Sequence, residues 1–389
     1  MCIRDRFGAL IIIAMLFFQG SIAPQESEIA DNSDSREPII SQTFEVSVNT
    51  SPTNEPSESQ SSSESANDDF DELRRFALSK INQIRRDAGL GEVTLVHLHS
   101  TQKHAEDMKE NCFTSPWGSD GMKPYMRYSL AGGYQHTTEI NYGHNYCPKF
   151  GFLYEHESIE DQIDDAITTA LELNTLDSFD TNLLDPNVRK LAIGLAYREP
   201  ALWTVMTFIA DYIEYDIPPF IHNQTLQFTA TAKHGVGFTN DDTIVAIFYD
   251  EPNHSLRRGQ LHQTSCYWYG DFVAFIRQPL EPGWEYQDES IAFPSERCVD
   301  PYEIPFDTPP IDSPHFLPTP TVVDVIEDGV LLIAETWQTT TDQLQFKADL
   351  SILLSLLGDG IYTMVIYTDI EGETISISEH SIFIPQAPN

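Results

Sequence analysis

The spacing of large apolar residues changes twice along this 389-residue chain, and each spacing admits a different kind of structure. From Pro24 to Asp69 such residues are sparse, and Ser, Glu, Asn, Asp and Pro dominate, most densely in SESQSSSES. A segment of this kind cannot bury enough surface to offset the entropy of ordering, which predicts a disordered linker over 24–69. Phe70, Leu73, Ala77, Ile81, Ile84 and Ala88 then recur every three or four residues, one apolar stripe of a helix that Gly89 stops. Ser100 is placed to cap a second helix running to about Asn111 and burying Ala105 and Met108. A third is expected over about Ser158–Leu173, with Ile159, Ile163, Ala166, Ile167 and Ala170 inward. Strands over Lys190–Tyr197 and Leu202–Ala210 follow, joined by a turn at Arg198-Glu199-Pro200.

Near residue 216 the helical stripes give way to short β-rich runs separated by Pro, Gly, Asn and Asp. Strands are expected over 225–232, 243–249, 267–277, 329–338, 361–368 and 374–384, a pattern that reads as a sandwich. The stretch Asp359-Gly360-Ile361-Tyr362-Thr363 resembles the tyrosine corner of immunoglobulin-like domains. Pro301–Pro320 is rich in proline and divides the region into 216–310 and 311–389.

Charge narrows the function. Sixty acids against 22 bases leave a net charge of −38, so the surface repels phosphate backbones and anionic lipid heads. Nucleic-acid and peripheral membrane binding are therefore not expected. No DxDxDG-type calcium loop accompanies the acids. The hydrophobic share of 41% and aromatic share of 11% are those of a globular protein.

At the N-terminus, Arg4 and Arg6 precede the apolar run Phe7–Phe18, and Ser21-Ile22-Ala23 is a small-x-small site. Residues 1–23 thus have a signal-peptide layout, with Pro24 leaving room for an uncleaved anchor, the one expected membrane attachment. Met1–Arg6 (MCIRDR) resembles a translated sequencing adapter, and Cys2 is set aside with it. Four cysteines remain, Cys112, Cys147, Cys266 and Cys298, which allow three pairings; the local one joins Cys112 to Cys147 and Cys266 to Cys298. Export makes disulfides expected, and no CxxC points to a zinc ribbon or thioredoxin-like chemistry. Sequons stand at Asn49, Asn223 and Asn253.

Three blocks between Phe70 and Tyr212 carry a resemblance. INQIRRDAGLGEVTLVHLHSTQKHAEDMKENC resembles the first two helices of the CAP superfamily (SCP/PR-1-like), with N-x-x-R, a Gly-Leu turn and H-A-x-D-M. SPWGSDGMKPYMRYSLAGGYQHTTEIN is similar to the family's S-H-x-G-x-D-G-x-x-P-x-x-R…A-E-N-I signature, and NLLDPNVRKLAIGLAYREPALWTVMTFI to its closing strands. The resemblance implies an α+β chain: a three-layer α-β-α sandwich over 70–215, with an antiparallel sheet and a surface cleft. The β-rich, immunoglobulin-like region then follows.

CAP cavities hold two histidines and two acids, a set able to bind zinc or position water. Here Pro116 and Phe179 stand where the histidines belong, and neither can ligate a metal or carry a proton. The A-E-N-I acid remains as Glu139; Glu157, Glu160 and Asp161 compete for the other place. His136 and His144 flank Glu139 on loop-like sequence, and His97 and His99 alternate on an extended stretch without a third ligand. His104, in the H-A-x-D-M position, reads as a packing residue with a buried hydrogen bond.

Trp117, Tyr125, Met126, Arg127 and Tyr134 form an aromatic and basic cluster, read either as loop packing or as a binding patch. The expected cleft residues are Glu139, His136, Trp117, Tyr125, Arg127 and Asn182, with no catalytic residue, metal or cofactor assigned. No G-x-S-x-G is present. The expectation is an extracellular or cell-surface protein that binds a lipid or protein ligand without catalysis. The alternative is a metal- or acid-assisted hydrolase using Glu139 as general base.

Overall fold

The computed structural model describes residues 64–143, 158–173, 182–239, 243–264, 266–280, 282, 300–305, 329–370 and 373–384. The expected leader 1–23, most of the linker, His144, Cys147, Glu157, Phe179 and Cys298 lie outside the described residues. Among the described residues the chain is α+β, with six α-helices and thirteen strands in three sheets.

The first apolar stripe forms α1 (Glu64–Asp87), which starts inside the expected linker and buries Ala77 and Ile81. Gly89 follows at φ +77°, a left-handed backbone that glycine adopts without a Cβ penalty. The N-x-x-R pair of α1 is structural. Asn82 exchanges two hydrogen bonds with the backbone of Val93, at 2.8 and 3.0 Å. Arg85 is fully buried and donates to the carbonyls of Gly91, Leu183, Asp185 and Val188, tying the helix to the turn before the closing strands. These charge-assisted bonds offset the burial that pulls its pKa down.

Next come β1 (Thr94–Val96) and α2 (His99–Asn111), which buries Thr101, His104, Ala105 and Met108. Since α2 already begins at His99, Ser100 is not its cap, and His97 and His99 do not share a strand. Then come α3 (Pro124–Leu130), β2 (His136–Tyr142) and α4 (Ile159–Leu173). A 3-10 turn (Asn182–Leu184) leads into β3 (Val188–Arg198) and β4 (Ala201–Ala210). The sequence around His136, read above as loop-like, is therefore a strand.

The first sheet has the order β1-β3-β4-β2. It is not wholly antiparallel as expected: β1 and β3 pair in parallel, Leu95 opposite Leu191, because helical segments return the chain to the same end. Side-chain alternation on β4 sends Leu202, Met206 and Phe208 toward α1 and α4. Trp203 and Val205 point instead to Ala105 and Met108 of α2. Both faces are thus covered by helices.

The remaining strands are β5 (Ile213–His222), β6 (Thr225–Ala232), β7 (Ile244–Asp250), β8 (Asp271–Arg277) and β9 (Val330–Ile333). Beyond them lie β10 (Thr336–Thr339), β11 (Gln343–Asp349), β12 (Gly360–Ile370) and β13 (Glu373–Ile384). Two short helices, α5 (Arg258–Leu261) and α6 (Ser351–Leu357), interrupt them. The second sheet is β10-β11-β6-β5 and the third β13-β12-β7-β8-β9. One apolar core joins them, with Phe228, Leu344 and Phe346 facing Val245, Ile247, Met364 and Ile366. Pro218 and Pro219 sit on β5, an edge strand, where a missing backbone donor costs no ladder bond. The Tyr362 hydroxyl donates to the Gly358 carbonyl four residues upstream, at 2.7 Å.

The run 329–338, expected as one strand, is two strands in different sheets. Ala334 donates to Arg277 beside the third sheet, and the next residue, Glu335, donates to Lys347 of the second. The expected division at 310/311 does not separate two sheets either, because strands from both sides of it pair in each.

Candidate functional site

Glu139 lies on β2 opposite Thr207 of β4, so alternation turns its side chain toward α2. Its side chain is 4% exposed, and the carboxylate pairs with Arg127 of α3, Nη2 to Oε1 at 2.8 Å. Arg127 also donates to the carbonyls of Pro116 (2.9 Å) and Met122 (2.6 Å). The carbonyl of the residue that stands in the motif-histidine position is thus an acceptor for the guanidinium. His104, entirely buried, places Nε2 2.9 Å from the Ser115 carbonyl and 3.6 Å from Glu139 Oε1. The first is a hydrogen bond and the second is too long for one, so Nε2 carries the proton and Nδ1 is left as an unpartnered lone pair. The buried hydrogen bond expected of His104 is present, but its place beside Arg127 and Glu139 was not foreseen.

Burial sets the protonation states. It holds the His104 imidazole well below its usual pKa, with the Arg127 charge adding to the effect, so the ring is neutral. Burial also raises Glu139, against the pull of Arg127 and of a hydrogen bond from Asn141. A general base needs a lone pair that a substrate can reach. In this set Oε1 is taken by Arg127, and the side chains are enclosed.

The cover comes from the C-terminal half. Ser115 and Thr264 share a hydroxyl hydrogen bond at 2.7 Å, Trp117 Nε1 donates to Cys266, and His262 meets the Cys112 carbonyl at 3.0 Å. Leu256, Leu261, Tyr267 and Trp268 pack with Trp117, Phe113 and Met108. Lys123, also buried, bonds Asp250 at 2.6 Å and lies 4.9 and 5.0 Å from the Trp117 and Trp268 ring centroids. Tyr125 donates to the same aspartate at 3.0 Å. The aromatic and basic cluster of Trp117, Tyr125, Met126 and Arg127 is therefore interior, with Tyr125 and Met126 packed against Ile361 of β12 and the chain before β8.

His136 does not join Glu139, because successive residues of a strand alternate and these two are three apart. It lies 3.8 Å from Glu379 of β13, an acid the sequence reading missed. Glu379 is 1% exposed and accepts from the Thr137 amide (2.8 Å), the Thr137 hydroxyl (2.5 Å) and the Tyr269 hydroxyl (2.6 Å). Its sequence signal is an acid in phase with the apolar Ile375 and Ile377. Asn182 opens the 3-10 turn remote in sequence from β2. Glu160 and Asp161 stand in the first turn of α4, on the other side of the sheet from α2.

Cys112 and Cys266 both have partners; the cysteines expected to bridge them lie outside the described residues. Among the described residues, no three His, Cys, Asp or Glu side chains converge in a metal-binding group, and no helix is long and apolar enough to cross a membrane. A scan against known protein families finds no family model that matches the chain, and a search of curated proteins finds no match.

Proposed function

We propose that this chain is an exported, surface-displayed protein that acts by binding a partner or ligand, not by catalysis, and that its helical half is a CAP-like α-β-α unit. The observation that carries the reading is the enclosed pair Arg127–Glu139, with neutral His104 beside it, under the 256–269 cover. A carboxylate held by an internal guanidinium and closed from solvent is a structural element, not a waiting base. Helices on both faces of the first sheet and the Asn82 and Arg85 tethers support the CAP-like reading. The Tyr362 corner bond supports an immunoglobulin-like sandwich. Export is supported by the run Phe7–Phe18 with its small-x-small site, and by a charge of −38. Disulfides through Cys112 and Cys266 belong to the same proposal.

The test is hydrolysis of ester and peptide substrates by the full chain and its Glu139→Gln variant, with zinc titrated by calorimetry. Neither protein should hydrolyse these substrates, and neither should bind zinc tightly. A rate or a zinc site that disappears with Glu139→Gln would move the protein to the hydrolases.

A further inference from the structure

We propose that Asn223, at the tip of the β5–β6 hairpin, carries an N-linked glycan whose first sugar packs on the outward face of that hairpin. The proposal rests on the export reading, because N-linked glycans are attached to exported chains. Asn223-Gln224-Thr225 is one of two sequons among the described residues, the other being Asn253-His254-Ser255. A triplet motif recurs by chance, so the surroundings of each asparagine decide between them.

The two asparagines differ in what they touch. Asn223 and Gln224 are the central residues of a tight turn closed by His222 opposite Thr225, with φ of +49° and +66°, as in a type I′ turn. Asn223 is exposed, and its amide makes no hydrogen bond among the described residues. Asn253 is half-buried, with Nδ2 3.8 Å from Sδ of the fully buried Met126. A glycan on that nitrogen would have to break the packing, whereas one on Asn223 projects into solvent.

The hairpin also offers the sugar a seat. Alternation turns Ile221 and Leu226 inward onto the sandwich core, and Phe220, His222 and Thr225 outward beside the turn. Phe220 is 38% exposed and makes no ring contact among the described residues, an aromatic surface that the fold itself does not use. It lies two residues from the closing pair of the turn, roughly 7 Å along the strand. The apolar C–H face of a pyranose packs on such a ring while its hydroxyls stay in water. Attachment needs only the asparagine from this protein, the transferase of the export pathway supplying the rest. The Asn223 amide nitrogen attacks the anomeric carbon of a lipid-linked oligosaccharide. An N–C bond forms as the C–O bond to pyrophosphate breaks, and the amide proton leaves with the pyrophosphate.

The test is expression of the full chain in cultured eukaryotic cells, followed by peptide mass mapping with and without peptide N-glycosidase. Asn223 should be occupied, and converted to aspartate by the enzyme, while Asn253 should be bare. The melting gap between the glycosylated chain and its Asn223→Gln variant should shrink by about 1–2 °C when Phe220→Ser is added to both, the size of one aromatic contact. Secreted or lumenal chain with Asn223 bare, or with Asn253 occupied in its place, would overturn the assignment and leave export standing. Chain confined to the cytosol would overturn the export reading and this one with it. A melting gap that Phe220→Ser leaves unchanged would overturn the seat.

Discussion

Glu139 and Arg127 form a buried ion pair at 2.8 Å. Both are enclosed, and removing one leaves the other charged and uncompensated. Arg127→Met should therefore destabilise the protein by about 3–5 kcal/mol, read from urea denaturation, whereas Glu139→Gln should cost clearly less, since a neutral amide tolerates burial. Equal losses would mean that the guanidinium is held by the Pro116 and Met122 carbonyls and not by the acid. His104 adds a pH dependence with a definite sign. Its folded pKa lies well below the 6.5 of the unfolded chain, so the unfolded state takes up the proton first and stability falls as pH drops through 6.5. The slope from this residue is at most about 1.4 kcal/mol per pH unit. Glu139, raised by burial, works in the opposite sense as pH falls through its folded value toward 4.5. His104→Asn should flatten the stability profile from about pH 6.5 downward, and an unchanged profile would put the titration elsewhere. Glu139 and Arg127 could be picked out of the sequence because they sit in a recognisable block. The contact with His104 could not, since it depends on how α2 crosses the sheet.

Elements with a self-sufficient local signal were legible. The stripes of α1, α2 and α4 face an apolar sheet on one side and water on the other, and that asymmetry is written in the residue spacing. β2 and α3 lack it, because both are covered from two directions and polar residues such as Thr137 and Ser129 find partners inside. The run 329–338 was read as one strand for a related reason: alternation fixes which way side chains face and says nothing about which neighbour a strand pairs with. Close approach between elements leaves its mark in glycine. At Gly194 of β3 an added Cβ would lie 2.3 Å from the Thr101 carbonyl of α2, a rigid backbone atom. Gly194→Ala should push α2 off the sheet and cost about 1–3 kcal/mol, the range for overpacking a tight site. A thermal melt with an unshifted midpoint would show that α2 moves freely, and would weaken the case that it fixes His104.

Near the boundary expected at residue 215 the elements change from a helix-covered sheet to strands in two further sheets, and contacts cross it. Trp117, Tyr125 and Met126 are covered in part by Leu256, Leu261, Tyr267, Trp268 and Tyr269 and by Ile361 of β12. Glu379 of β13 takes the amide and hydroxyl of Thr137, and Ser381 N donates to Ser129 Oγ at 2.9 Å. Pairings as distant as these leave no local trace in the sequence, so the helical half read as free-standing with an open cleft. Cutting the chain near 215 would strip three large aromatic or thioether side chains of their cover and strand Lys123 without Asp250. Exposure on that scale exceeds what a marginally stable domain tolerates. The full chain should therefore unfold in a single calorimetric transition, its van't Hoff and calorimetric enthalpies agreeing. A fragment ending near 215 should lack a cooperative transition of its own. Two resolved transitions, with the fragment reproducing one of them, would restore the helical half as an autonomous domain and turn the 256–269 cover into a lid that can open. Glu139 would then become reachable, and the non-catalytic reading would lose its main support.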